Sequence, residues 1–174
     1  MFKPIAGAIA ALAAVTNPVS AAIDYNKLEQ KLNSIGVTTM VQQACTGTQG
    51  AAATYNPYTN VLCVTEATLD VQQGQFDSVL RHETVHVVQD CIAGMANGHM
   101  GSVTYYMSQG DKKLERELDK QIIQALVHSS KIDHVLQIHG GTLDAPDAFV
   151  EVEAYALEDN HELVFNLLSK CNPK

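Results

Sequence analysis

The segment Arg81-His82-Glu83-Thr84-Val85-His86 places two imidazoles four residues apart, with a carboxylate directly after the first. On an α-helix, residues i and i+4 stand one above the other, about 6 Å apart. Two imidazoles in that relation can converge on one ion at about 2.0–2.1 Å from each nitrogen. Glu83 is one residue past the first histidine, so it projects beside the ion rather than into its coordination shell. There a carboxylate can take a proton from water that a bound zinc ion has acidified. HExxH thus supplies two ligands and a base from one short segment. Chance produces it in on the order of one chain in a hundred of this composition. The competing reading is a solvent-facing helix with two incidental histidines.

A catalytic zinc also needs a third protein ligand and an open position for water. A close third histidine, as in HExxHxxGxxH, is absent: Ile92, Ala93 and Gly94 follow instead. Among later stretches, Ala148 to Asn160 (AFVEVEAYALEDN) is the best source, because it puts Glu151 and Glu153 on one helix. Glu151 shares a face with Ala154, Tyr155 and Glu158, whereas Glu153 faces Val150 and Leu157. The small Ala154 lets a neighbouring helix approach closely. His128, His134, His139 and Asp90 are further ligand candidates, less well placed, and the plain alternative is a pair of solvated helix glutamates.

These two motifs together, HETVHVVQ and EVEAYA, resemble the gluzincin metallopeptidases, whose second motif is a Glu-x-x-Ala on a later helix. The likeness is greatest to the short minigluzincins, which share the ExxA pattern with membrane-embedded CAAX-prenyl-type proteases. It covers about 17 residues strongly and extends loosely to the strand around Asn60–Val64, since such enzymes carry an edge strand above the zinc. The resemblance implies His82, His86 and Glu151 as ligands of one catalytic Zn2+, Glu83 as general base and acid, and a peptide or protein substrate. Many members carry Asp or Asn four residues after the ligand glutamate, where it holds the first histidine. This chain has Tyr155 there, which keeps Glu153 open as an alternative ligand. An extended peptide is expected to pair with an edge strand near Val61–Val64.

Something must position these residues. From about Phe76 to Met95 the pattern is helical, with Leu80, Thr84, Val87, Val88 and Cys91 in an apolar stripe and His82, His86, Val79 and Asp90 on the opposite side. Before it, Ile23 to Gly36 reads as a helix, Val37 to Cys45 as a strand, and Ala51 to Val64 as a hairpin turning at Asn56–Asn60. After it, Gly94 to Asp111 reads as a long loop and Lys112 to Val127 as an amphipathic helix. Asp144 is a plausible N-cap for a helix beginning at Pro146 and running to about Asp159, and a last short helix covers His161 to Ser169. The expected fold is α+β: a small antiparallel sheet of about three strands packed on the active-site helix, then a mainly helical C-terminal half.

Export is the expectation from the first residues. Lys3 precedes an uncharged apolar run, Ile5 to Val15, and Pro18 and the small residues Ser20, Ala21 and Ala22 follow. That is the layout of a signal peptide over residues 1–21, cleaved near Ala21. A bilayer span takes roughly 20 apolar residues, so an uncleaved anchor is the secondary reading. Residues 22–174 form one domain, secreted or periplasmic, with no stable membrane insertion. In an oxidising compartment Cys45, Cys63, Cys91 and Cys171 are expected to form disulfides, favouring Cys45–Cys63 with Cys91–Cys171 among three connectivities. The whole chain has 11 basic and 19 acidic side chains. Loss of Lys3 leaves the domain more acidic still, and such a surface repels phosphate backbones, so no nucleic-acid partner is expected. Besides an exported zinc peptidase, two other classes fit: a metal- or partner-binding domain without catalysis, and a zinc hydrolase of a non-peptide bond.

Overall fold

Asp24 opens the first helix by accepting the backbone N–H of Lys27 on its side chain, 3.3 Å away. Helix α1 (Tyr25–Ser34) buries Leu28 and Leu32 and stops at Gly36, whose φ of +85° suits glycine. The computed structural model describes residues 24–45, 51–70, 73–128, 131–138 and 146–171. The expected leader, residues 1–21, and the expected N-cap Asp144 lie outside them.

Three strands follow: β1 (Thr38–Gln42), β2 (Ala53–Asn56) and β3 (Val61–Thr65). The hairpin between β2 and β3 turns at residues 57–60, where Asn56 Oδ1 accepts the N–H groups of Tyr58 and Thr59 at 2.9 and 3.2 Å. The sheet order is β1-β3-β2. Here two expectations are corrected. The sheet is mixed rather than antiparallel, because β1 runs parallel to β3. Nearly twenty residues separate these two strands, so the connection brings the chain back to the end it left and makes a parallel pairing possible. Strand β3 is also central and paired on both sides, so Val61–Val64 has no free edge; β1 and β2 are the edges, and β2 is the one beside the helix that carries His82 and His86.

Helix α2 (Glu66–Leu69) leads to the long helix α3 (Gln73–Ala93), which packs against β2 and against the last two helices. Every residue from Leu80 to Asp90 is buried. An apolar stripe facing a core, with a polar face left to solvent, is therefore not what forms: α3 is covered on both sides. Gly94 to Asp111 is not a bare loop either, because Val103–Ser108 forms α4 under the Ser102 cap. Then come α5 (Lys112–His128), α6 (Ile132–Ile138), α7 (Pro146–Leu157) and α8 (His161–Leu168), the C-terminal half being helical as expected. Helix α7 packs on α3, α5 and α6.

Two disulfides tie this together. Cys45–Cys63 closes the sheet and Cys91–Cys171 joins the end of α3 to the end of the chain, each with 5.8 Å between α-carbons. This is the expected pairing, and bonds of this kind persist in oxidising compartments. Among the described residues, no helix is long and apolar enough to cross a membrane.

Candidate metal centre

Burying the polar side of α3 creates a demand. His82, Glu83, His86, Gln89 and Asp90 are all out of solvent, and such groups need partners. Helix α7 provides most of them. Its Glu151 carboxylate reaches both imidazoles, with Oε2 3.3 Å from His82 Nε2 and Oε1 3.3 Å from His86 Nε2. The two Nε2 atoms are themselves 3.2 Å apart. His82, His86 and Glu151 thus form a group whose donor atoms lie within 4.8 Å of one another and could hold a metal ion.

The far nitrogens say which way the lone pairs point. Glu158, just past the end of α7 and two turns from Glu151, holds His82 Nδ1 at 3.0 Å. Lys131 and Ser78 bind the same carboxylate. Burial works against its charge, but His82 and Lys131 outweigh this and keep Glu158 below its ordinary pKa. An ionised Glu158 accepts, so Nδ1 of His82 donates. On His86, Nδ1 meets Gln89 Oε1 at 2.8 Å and donates too. With both Nδ1 atoms committed, the two Nε2 atoms face each other and the Glu151 carboxylate, one of its oxygens at each ring. Either a proton or a cation must be there.

The electrostatics of the group follow from the same contacts. Burial alone would lower the His82 pKa, yet its bonds to Glu151 and Glu158 and the charge of Glu83 lift it to about 9. Burial alone would raise Glu151, yet both histidines pull it well below the usual carboxylate range.

A cleft of ≈ 690 Å³ opens over these groups, between β2 and α7, and Glu83 lines it beside the two histidines. Tyr155 stacks on His82, ring centroids 4.2 Å apart. Burial, then the charges of Glu151, Glu158 and Glu83, push its hydroxyl up to about 12, so it remains protonated.

The other ligand candidates are elsewhere. Glu153 is fully buried on the opposite side of α7, accepting the N–H groups of Val103 and Thr104 at 2.9 and 3.0 Å and bonds from Ser102 and Gln89. Two residues turn a helix by about 200°, so it cannot join Glu151. Burial raises the Glu153 pKa against those donors. Asp90 lies one turn past His86 and accepts from Tyr55 Oη at 2.6 Å. His128 is exposed on α5, away from the group. His134 lines the cleft, edge-on to Tyr155 at 5.4 Å, without joining the group. His139 lies outside the described residues.

Glu158 and Gln89 were missed as functional residues by reading motifs alone. The signals were present: Glu158 shares the face of Glu151, and Gln89 is three residues past His86. Tyr155, four residues past Glu151, stacks on His82, and the hydrogen bond to that ring comes from Glu158, seven residues past Glu151. No protein-family model matches the chain, and no match was found among curated proteins or solved structures.

Proposed function

We propose that this chain is an exported zinc-dependent hydrolase of peptide bonds, a short gluzincin-like metallopeptidase. The observation that carries this reading is the convergence of His82 Nε2, His86 Nε2 and Glu151 at 3.2–3.3 Å, with Glu83 in the same cleft. The Nε2–Nε2 separation is close to the roughly 3.3–3.4 Å between ligand atoms of a tetrahedral ion with bonds of about 2.0–2.1 Å, and one Glu151 oxygen faces each imidazole, with the three donor atoms within 4.8 Å of one another. Two neutral imidazoles and one carboxylate are also a donor set that suits zinc.

A zinc ion held by His82, His86 and Glu151 would supply the positive charge that polarises a scissile carbonyl and acidifies water. The chain's own residues do the rest. Glu83 accepts the proton of the attacking water on its carboxylate and returns it to the leaving amine. It is suited to this because, among the described residues, no hydrogen bond ties that carboxylate up. Glu158 fixes the ring of His82 from behind.

The substrate reading rests on β2. Thr65 N–H bonds Ala52 O at 3.0 Å, so the antiparallel alternation turns the N–H and C=O groups of Ala53 and Tyr55 away from β3. An extended peptide can add to that edge, along the rim of the cleft. This replaces β3 as the expected docking strand.

The test is metal analysis beside peptide-library digestion, with wild type, His82→Ala and Glu83→Gln. About one zinc per chain and chelator-sensitive cleavage are expected for wild type. Glu83→Gln should keep the zinc and lose turnover by about 10²-fold or more. Unchanged turnover in Glu83→Gln would exclude the base assignment, and zinc without any cleavage would favour a binding domain.

A further inference from the structure

Gln89 is fully buried one turn beyond His86. Its Nε2 donates to the Val150 carbonyl and to Glu153 Oε2, both at 3.0 Å, while its Oε1 meets His86 Nδ1 at 2.8 Å. A backbone carbonyl can only accept, so the NH2 end of the amide is compelled to face α7. The carbonyl end must then face His86. Glu153 reinforces this orientation and is itself held by the α4 N–H groups of Val103 and Thr104.

We infer that Gln89 is a positioning residue of the metal centre: its amide, oriented by Val150 and Glu153, holds His86 as the Nδ1–H tautomer and leaves the Nε2 lone pair for the ion. The inference rests on the reading that His82, His86 and Glu151 bind metal. It assigns both glutamates of α7 to one site from opposite faces, Glu151 as ligand and Glu153 as the anchor of the anchor. It also explains why a fully buried glutamine occupies a helix position where an aliphatic side chain would fill the space without needing three partners.

Two substitutions separate positioning from packing. Gln89→Leu removes the acceptor for His86 and keeps an apolar body. Gln89→Glu keeps an acceptor for His86 but puts a carboxylate against Glu153 and the Val150 carbonyl, which destabilises a buried site. Zinc affinity of the full chain, by competition with a chromophoric chelator, is expected to fall about 10- to 100-fold in Gln89→Leu. Gln89→Glu should stay within a few-fold of wild type while melting at the lower temperature of the two when metal-free. A merely structural Gln89 reverses the affinity order, with affinity following melting temperature, and overturns the inference.

Wild type alone gives an independent reading. Loaded with an NMR-active cadmium isotope, it should show coupling to His86 through Nε2 and a slowly exchanging Nδ1 proton; coordination through Nδ1 would overturn the assignment. Wild type that binds no metal removes the underlying site as well. Wild type that binds zinc no more tightly than Gln89→Leu removes this inference only.

Discussion

Glu158 holds Nδ1 of His82 at 3.0 Å from a position two helical turns beyond Glu151, whose own carboxylate is 3.3 Å from Nε2 of the same ring. A carboxylate on α7 and one just past its end therefore grip both ends of one imidazole. The far grip should matter to the near one. Glu158→Ala is expected to weaken zinc binding about 10- to 100-fold, and Glu158→Gln less, since it retains an acceptor. Chelator competition measures this, and equal affinity in all three proteins would dismiss Glu158 as a partner of the site.

The two glutamates of α7 should fail in different ways. Glu151→Ala is expected to abolish most metal binding and leave the metal-free fold intact. Glu153→Ala strands the buried N–H groups of Val103 and Thr104 and the amide of Gln89, and should cost on the order of 3 kcal/mol. Metal content and urea unfolding of each variant distinguish the roles. Metal loss confined to Glu153→Ala would reverse the assignment.

The metal-free protein should depend on pH in a defined direction. His82 is lifted from 6.5 to about 9 in the fold, so its stabilisation is complete below pH about 6.5 and is lost as pH rises through about 9. Glu151 is depressed, so its contribution is present above about 4.5 and is lost only as acid protonates it. Metal-free melting temperature should therefore decline between about pH 6.5 and 9. In the same interval zinc displaces the His82 proton, so binding should release about one proton per ion. Calorimetry in buffers of different ionisation enthalpy counts it, and a count of zero at neutral pH would contradict the raised His82.

Reduction should act mainly through the longer disulfide loop. Cys91–Cys171 spans 80 residues and Cys45–Cys63 spans 18. Chain entropy assigns these about 4.5 and about 3 kcal/mol respectively. Replacing Cys91 and Cys171 by alanine should thus lower stability more than replacing Cys45 and Cys63, as read by chemical denaturation. Cys91 is also on α3, nine residues past His82, so the first pair of substitutions should weaken metal retention on heating. The opposite order of stabilities would show that the shorter loop carries strain-free packing worth more than the entropy difference.

Sequence alone determined the parts that depend on local spacing. HExxH on a helix requires only the 3.6-residue period to bring His82 and His86 together, and the ExxA stretch is legible for the same reason. The helix stop at Gly36, where glycine accepts a positive φ, and the turn at Asn56–Asn60, where Asn56 accepts neighbouring N–H groups, are likewise local and legible. The tertiary structure decided what depends on distant chain segments meeting. Whether β1 runs with or against β3, and whether β3 lies between the other two strands, is a matter of how the connections travel, not of strand composition. Glu151 and Glu153 carry the same chemistry two residues apart; only the side on which α3 packs against α7 separates the one facing the histidines from the one buried under α4. Tertiary packing likewise covers the polar face of α3, and that burial turns Glu158 and Gln89 from ordinary helix residues into partners the imidazoles cannot do without.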